Sequence, residues 1–161
     1  MGLDMYLIKK KREDKREDLW EFPYGTELIY WRKANAIHRF LCDSGREIEQ
    51  EVAYEISRTN LEDLLDKCNE ILNVVKTKKG TIQNGQRYVN GKWEPILEEG
   101  IEIINQEEVA EILPTCSGFF FGSTDYNQWY LEDIKRTKEE LESVMKDIDW
   151  NNDEVYYLAS W

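Results

Sequence analysis

The segment that most constrains the fold is 114–134, with the sequence PTCSGFFFGSTDYNQWYLEDI. Three consecutive phenylalanines stand between two glycines, and a helical pattern begins soon after Gly122. This order predicts a buried strand, a tight turn and a helix N-terminus. The unpaired backbone N–H groups of a first helical turn favour a phosphate or a carboxylate. The turn Gly122-Ser123-Thr124 is therefore a candidate anion pocket.

A simpler interpretation of the same segment is a capped helix that binds nothing. Thr124 or Asp125 has a side chain suited to the N-cap position. Gln128 follows three residues after Asp125 and matches the partner position of a capping box. The residue types alone do not choose between these two interpretations.

Strand and helix patterns alternate along the rest of the chain. Apolar and polar side chains alternate over 2–10 and 51–57, as in strands with one buried face, and residues 154–161 are predicted to form an aromatic-rich strand. Apolar residues recur at helical spacing after Ser57 and again over 125–147. The length of 161 residues fits one domain. We therefore predict a single α+β domain over 1–161, in which an antiparallel sheet packs against two or three amphipathic helices.

Two segments of this domain are predicted to be less regular. Residues 9–18, KKKREDKRED, are almost all charged, and their acids cancel their bases, which is typical of a solvated loop or hairpin tip. Residues 76–100 form an irregular hairpin region, because Asn84-Gly85 and Asn90-Gly91 are each a hairpin-turn signal. Further turns are predicted at 22–25 and 43–46.

The net charge of -12 restricts the classes of partner. Proteins that bind polymeric nucleic acid usually carry a basic surface, so we expect no DNA or RNA partner. A small phosphorylated ligand needs only a local positive potential. The same charge allows a different function, an acidic protein-binding inhibitor or DNA mimic that occupies a basic surface on a host nuclease. No apolar run is long enough for a membrane span and no signal peptide is present, so we predict a cytoplasmic protein without a membrane partner.

Residues 27–42, ELIYWRKANAIHRFLC, are predicted to form a helix that carries the ligand site. Trp31, Asn35, His38 and Cys42 are spaced four, three and four residues apart and would share one flank. Arg32 and Arg39 would lie on the next flank. An aromatic ring, an amide, an imidazole and guanidinium groups together suit a nucleotide. The alternative is that Trp31 is packed in the core and that His38 is a structural histidine.

The sequence motifs of common enzymes and cofactor sites are missing. We find no phosphate-binding Walker loop, no G-x-G-x-x-G, no H-E-x-x-H and no G-x-S-x-G. Cysteines stand only at positions 42, 68 and 116, without a C-x-x-C pair, so neither a disulfide framework nor a zinc site is indicated. Catalysis would have to use His38 together with Ser123 or Cys116. We predict a non-catalytic binding protein with no cofactor and no metal.

Three segments resemble a widespread family of small tailed-phage and prophage proteins. They are GLDMYL at 2–7, YWRKANAIH at 30–38 and LPTCSGFFFGSTDYNQWYLEDI at 113–134. The family typically has Gln at the position of Ala36, and Gln or another residue at that of Cys116, so these two are poor candidates for ligand contacts.

The resemblance implies a phage immune-evasion protein of the sponge type. Such a protein binds a cyclic dinucleotide or a related nucleotide signal, holds it without cleaving it, and disarms cyclic-oligonucleotide-based (CBASS) defence in the infected host cell. It also implies a homo-oligomer, a dimer or a tetramer. We therefore predict that the ligand contacts come from Trp31, Arg32, Asn35, His38, Arg39, Ser123, Thr124 and Tyr126.

Overall fold

The computed structural model describes residues 2–16, 25–42 and 48–161. In chain order the elements are β1 (Asp4–Lys11), β2 (Thr26–Arg32), α1 (Asn35–Cys42), β3 (Tyr54–Glu55), α2 (Arg58–Val74), β4 (Thr77–Val89), β5 (Lys92–Ile103), α3 (Gln106–Ile112), α4 (Gln128–Val144) and β6 (Asp153–Ser160). A single 3-10 turn, Met145–Asp147, extends α4. All strand pairs are antiparallel, and the predicted α+β class is confirmed.

The main sheet has the strand order β2-β1-β6-β3. Its centre is the pair β1 and β6, in which Asp4 lies opposite Ser160 and Lys11 lies opposite Asp153. Leu3, Met5 and Leu7 are all fully buried, so the alternation along β1 directs one face of the sheet into the core. Strands from the two ends of the described chain thus form the middle of the sheet.

Helices α2 and α4, of 17 residues each, cover that buried face. Leu61, Leu64, Cys68 and Ile71 form the buried stripe of α2, as its helical spacing predicts. Of the two residues suited by sequence to cap this helix, Ser57 and Thr59, Ser57 is the N-cap and accepts a hydrogen bond from the backbone of Asn60. None of the helices in the described ranges has both the length and the apolar character of a membrane span.

The helix predicted for 27–42 is wrong in its first half. Residues 26–32 form β2, and Trp31 and Ile29 are buried at the two-residue period of a strand. The chain then bends at Lys33, and α1 begins only at Asn35. These residues form a strand because pairing with β1 satisfies the backbone N–H and C=O groups that a helix would satisfy within itself.

The irregular region predicted for 76–100 is one long two-stranded ribbon, β4 and β5. The turn expected at Asn90-Gly91 is confirmed, since both residues have positive φ between the two strands. The second expected turn, Asn84-Gly85, is instead a bulge in β4, where the register shifts between Gln83 and Gln86.

The charged segment 9–18 also differs from the prediction. Residues 9–11 belong to β1, and Lys11 pairs with the buried carboxylate of Asp153 at 2.8 Å. Only residues 12–16 lie outside the strand within the described part of this segment. Residues 17 and 18, and most of the turns predicted at 22–25 and 43–46, lie outside the described residues.

Candidate functional site

A large cleft lies beside α1 and has a volume of about 930 Å³. Residues from four separate stretches form its walls: 32–37, 83–86, 115–125 and 127–134. They come from the end of β2 and the start of α1, the bulge of β4, the loop before α4, and the first turns of α4. The early segment and the loop after the three phenylalanines therefore meet in one cleft.

Asn35 holds the loop against α1. Its side chain is buried, and its Nδ2 donates to the carbonyl oxygens of Phe121 at 3.1 Å and Ser123 at 2.9 Å. Its Oδ1 accepts from the backbone N–H of Cys116 at 3.2 Å. A single amide thus satisfies three backbone groups of the loop, and a buried polar group of this kind is costly to lose. Asn35 therefore positions the wall of the cleft through the hydrogen bonds of its side-chain amide.

Unusual backbone conformations are concentrated in the walls of the cleft. Lys33 and Phe120 have φ of 57° and 61°, which is rare outside glycine. Gly85 and Gly122 have φ of 88° and 86°. Each non-glycine residue in this region costs roughly 1–3 kcal/mol and persists only where the surrounding structure imposes it. Residues under such constraint cluster at functional sites, which supports this cleft as one.

Cationic side chains lie at one side of the cleft. Arg32 and Lys33 are exposed at the end of β2 and in the bend after it. They follow each other in the chain and provide a local positive potential on a protein of net charge -12. An anionic group of a ligand would find its partners here.

Helix α4 forms an acidic and aromatic wall. Trp129 is half-buried, and its indole N–H donates to the carbonyl oxygen of Gln83 at 3.3 Å. Asp133 lies one turn further along, and burial raises the pKa of its carboxyl from 3.8 to about 7, although the nearby Arg136 acts in the opposite direction. Near neutral pH this carboxyl is therefore present in both protonation states and can donate as well as accept a hydrogen bond.

Four of the predicted ligand residues lie in the walls of the cleft: Arg32, Asn35, Ser123 and Thr124. The hydroxyl of Ser123 accepts from the backbone of Asp125 at 3.1 Å, and the carbonyl of Thr124 accepts from the hydroxyl of Thr115. Arg32 extends into solvent. Of the four, Arg32 is the one whose charged group lies open to a ligand.

Trp31 does not face the cleft. Its side chain is fully buried, and its indole N–H donates to the hydroxyl of Thr137 on α4 at 2.9 Å. The predicted role of Trp31 as a stacking platform is wrong, since no ligand can reach a ring with no exposed surface. The alternative interpretation, a packed tryptophan, is correct.

His38 is also part of the core. Its Nδ1 shares a hydrogen bond of 2.5 Å with the Tyr157 hydroxyl, and its Nε2 lies 3.4 Å from the Cys42 sulfur. The rings of Phe121 and Trp161 pack against the imidazole ring in T-shaped geometry. Burial lowers the pKa of His38 from 6.5 to about 4, so the imidazole is neutral at physiological pH. His38 is structural here, and its predicted contact with a ligand is not supported by its position.

Arg39 and Tyr126 lie outside the cleft. Arg39 donates to the carbonyl oxygen of Thr115 at 2.9 Å and borders a smaller pocket of about 390 Å³. The hydroxyl of Tyr126 accepts from the backbone N–H of Thr115 at 3.0 Å. Both side chains hold the start of the loop in place.

The turn at Gly122 is not the start of a helix. The N-cap of α4 is Asn127, whose side chain accepts from the backbone of Trp129 at 3.0 Å, so the capping roles proposed for Thr124 and Asp125 are wrong. The three phenylalanines form no strand, and they are not a buried unit either. Phe119 is 74% exposed, and only Phe121 is buried. The predicted anion pocket at a helix N-terminus therefore does not exist, although the turn still borders the cleft.

Sequence reasoning missed Lys33, Trp129, Asp133 and the bulge of β4 as parts of the site. Trp129 and Asp133 are four residues apart and share a helix face, a spacing that is visible in the sequence. The bulge could not be found in this way, because Asn84-Gly85 has the sequence of a turn.

Comparisons with family models, with curated proteins and with solved structures returned no match. Within the described residues, no cluster of three or more His, Cys, Asp or Glu side chains is arranged to hold a metal ion. The case for a functional site therefore depends on the geometry of the cleft.

Proposed function

We propose that the cleft binds a small phosphorylated nucleotide of the cyclic-dinucleotide class and sequesters it, as in the phage immune-evasion sponges that the sequence motifs resemble. The observation that carries this proposal is the meeting of Arg32, Lys33 and Trp129 in one cleft of about 930 Å³. Ligand sites commonly have volumes of about 300–1,000 Å³, so the cleft is large enough for a ligand with two bases.

The walls provide the separate interactions that such a ligand needs. The guanidinium of Arg32 and the ammonium of Lys33 are suited to phosphate oxygens. The indole of Trp129 offers a surface for a base. The amides of Asn84 and Gln86 and the carboxyl of Asp133 line the same space and suit the polar edges of bases.

The protein's one histidine lies in the core, where it contacts Tyr157 and Cys42, and is not available to act on a ligand in the cleft. Asp133 is a titratable group of the cleft whose pKa of about 7 suits an acid or a base, so recovery of the unchanged ligand is the test that separates binding from cleavage. Retention of the ligand by itself would lower the free concentration of a defence signal. A sponge acts in this way, and its effect depends on the amount of protein and on how tightly the protein binds the ligand.

The first test is mass spectrometry of small molecules released when the purified protein is denatured. It is followed by calorimetry with a panel of cyclic dinucleotides and trinucleotides. We expect binding in at least one case, with the ligand recovered chemically unchanged after incubation. Absence of binding at micromolar concentrations across the panel would refute the proposal, and recovery of a hydrolysed product would replace it with an enzymatic function.

Matched variants locate the binding to the cleft. Arg32→Ala removes a charge-assisted contact and is expected to weaken binding roughly 10- to 100-fold. Arg58→Ala removes an equally exposed arginine from α2, where it pairs with Glu62 at 2.7 Å, and should leave the affinity unchanged. Equal effects of the two substitutions would show that only the overall charge matters.

A further inference from the structure

The ribbon, Thr77–Ile103, has two faces with different surroundings. Its inner face covers the start of α4, where a side chain at Gly100 would lie 3.1 Å from the Gln128 side chain, and Ile82 is buried over the same glycine. Gly80 pairs with Gly100 across the strands, which allows this close approach. The opposite face points away from the rest of the protein.

This outer face carries a row of large apolar side chains. Tyr88 and Trp93 are cross-strand partners with ring centroids 5.3 Å apart, and Leu97 and Ile101 follow on β5 at even spacing from Trp93. Their exposures are 63%, 66%, 62% and 41%. We name these four residues the outer stripe. An exposed apolar row of this length marks an interaction surface, and a two-stranded ribbon is only marginally stable without a covering layer.

The charges of the ribbon identify the kind of partner. On the outer face, β4 carries one cation, Lys79, and β5 carries one anion, Glu99. The other charged residues of the ribbon alternate onto the inner face, where Lys78 pairs with Glu102 and Arg87 with Glu94. A partner with charge of one sign would attract one of the two outer groups and be repelled by the other. A second copy of the same ribbon offers both signs in the same arrangement and is complementary.

We propose that two copies of the protein associate through the outer stripe, with a two-fold axis along the ribbon. This operation places β4 of each copy over β5 of the other, so Lys79 of each copy lies near Glu99 of the other. It also buries Trp93 and Leu97 of both copies against each other's ribbons. A face of twelve or thirteen residues per strand is about 40 Å long and about 10 Å wide, so the dimer buries about 800 Å² in total. This area is below that of standard stable interfaces and fits a weak dimer that depends on protein concentration.

Sedimentation velocity over a range from about 1 µM to about 300 µM protein tests the proposal. We expect a monomer–dimer equilibrium for the wild-type chain and a loss of dimer in Leu97→Glu. Ile96→Glu introduces the same charge at the next residue, on the inner face, and should leave the dimer intact. Circular dichroism confirms that both variants are folded. A wild-type protein that stays monomeric over the whole range, or equal effects of both substitutions, would overturn the proposal.

A charge exchange tests the arrangement of the strands. Lys79 and Glu99 both lie on the outer face and on opposite strands, two register positions apart, since Lys79 pairs with Ile101 and Glu99 with Thr81. Lys79→Glu and Glu99→Lys should each weaken the dimer about 5- to 10-fold, because each makes like charges face each other across the two-fold axis. The double variant should recover most of the loss. Failure to recover would exclude the pairing of β4 with β5, and neither outcome depends on nucleotide binding.

Discussion

Replacing Asp133 by Asn should stabilise the protein, by an amount that depends on pH. Burial raises the pKa of this carboxyl to about 7 in the folded protein, against 3.8 for the exposed group. One pKa unit corresponds to about 1.4 kcal/mol, so ionising Asp133 costs the folded state up to about 4 kcal/mol above pH 7. Asparagine has nearly the same shape and carries no charge, and it avoids this cost.

The sign of the effect follows from the two pKa values. Above pH 7 the carboxyl is ionised in both folded and unfolded states, and the full cost is present. Between pH 7 and pH 3.8 the folded protein keeps its proton while the unfolded chain loses it, so the wild-type protein gains stability as the pH falls. The advantage of Asp133→Asn should therefore be largest at pH 8 and should vanish near pH 4.

Urea unfolding of both proteins at several pH values measures this difference directly. Every other titrating group is common to the two proteins and cancels in the comparison. Glu139→Gln on the exposed side of the same helix is the control, because surface substitutions change the free energy of unfolding by only about 0.5 kcal/mol or less. A constant difference across the pH range, or a less stable Asp133→Asn at pH 8, would refute the proposed burial of the carboxyl.

Three further substitutions test the interior contacts. Asn35→Ala should lower the free energy of unfolding by about 2–3 kcal/mol, measured in urea, because one buried and two partly buried backbone groups lose their partner. Trp31→Phe should cost about 2 kcal/mol in the same assay, since the hydroxyl of Thr137 is left without its donor. Burial lowers the pKa of His38 from 6.5 to about 4 in the folded protein. As the pH falls, this histidine is therefore protonated in the unfolded chain at a higher pH than in the folded protein. The stability advantage of the wild-type protein over His38→Gln should shrink by about 3 kcal/mol between pH 6.5 and pH 4, and a constant difference would contradict the neutral core position.

Elements that depend on local signals could be predicted from the sequence. The cap at Ser57, the buried stripe of α2 and the turn at Asn90-Gly91 each follow from residues a few positions apart. The alternation along β1 and the aromatic-rich composition of β6 were sufficient to predict both strands of the sheet's centre. In these cases the local preference and the final contacts agree.

The errors arose where the outcome depends on distant partners. Residues 27–33 fit a helical period and a strand period equally well, and pairing with β1 selects the strand. The three phenylalanines have the composition of a buried strand, but Phe120 adopts a positive φ and the loop is held by hydrogen bonds to Asn35 instead. No pattern within the loop itself could show that.

For the same reason, only part of the candidate site could be predicted. Of the predicted ligand residues, Arg32, Asn35, Ser123 and Thr124 border the cleft, whereas Trp31 and His38 lie in the core. The assignment of Trp31 and His38 to a ligand assumed a continuous helix, and the assumption fails at Lys33. The contribution of β4 could not be foreseen, because a bulge in a ribbon shapes the wall.

The adjacency of β1 and β6 also determines when this protein can fold during its synthesis. Asp4 must wait for Ser160, so Leu3, Met5 and Leu7 have no partner strand on that side until almost the entire described chain has been translated. At ribosomal rates of about 5–20 residues per second, that interval is roughly 8–30 s. During it one edge of the first strand has no partner, and the centre of the sheet can form only after residues 153–160 have left the ribosome exit tunnel.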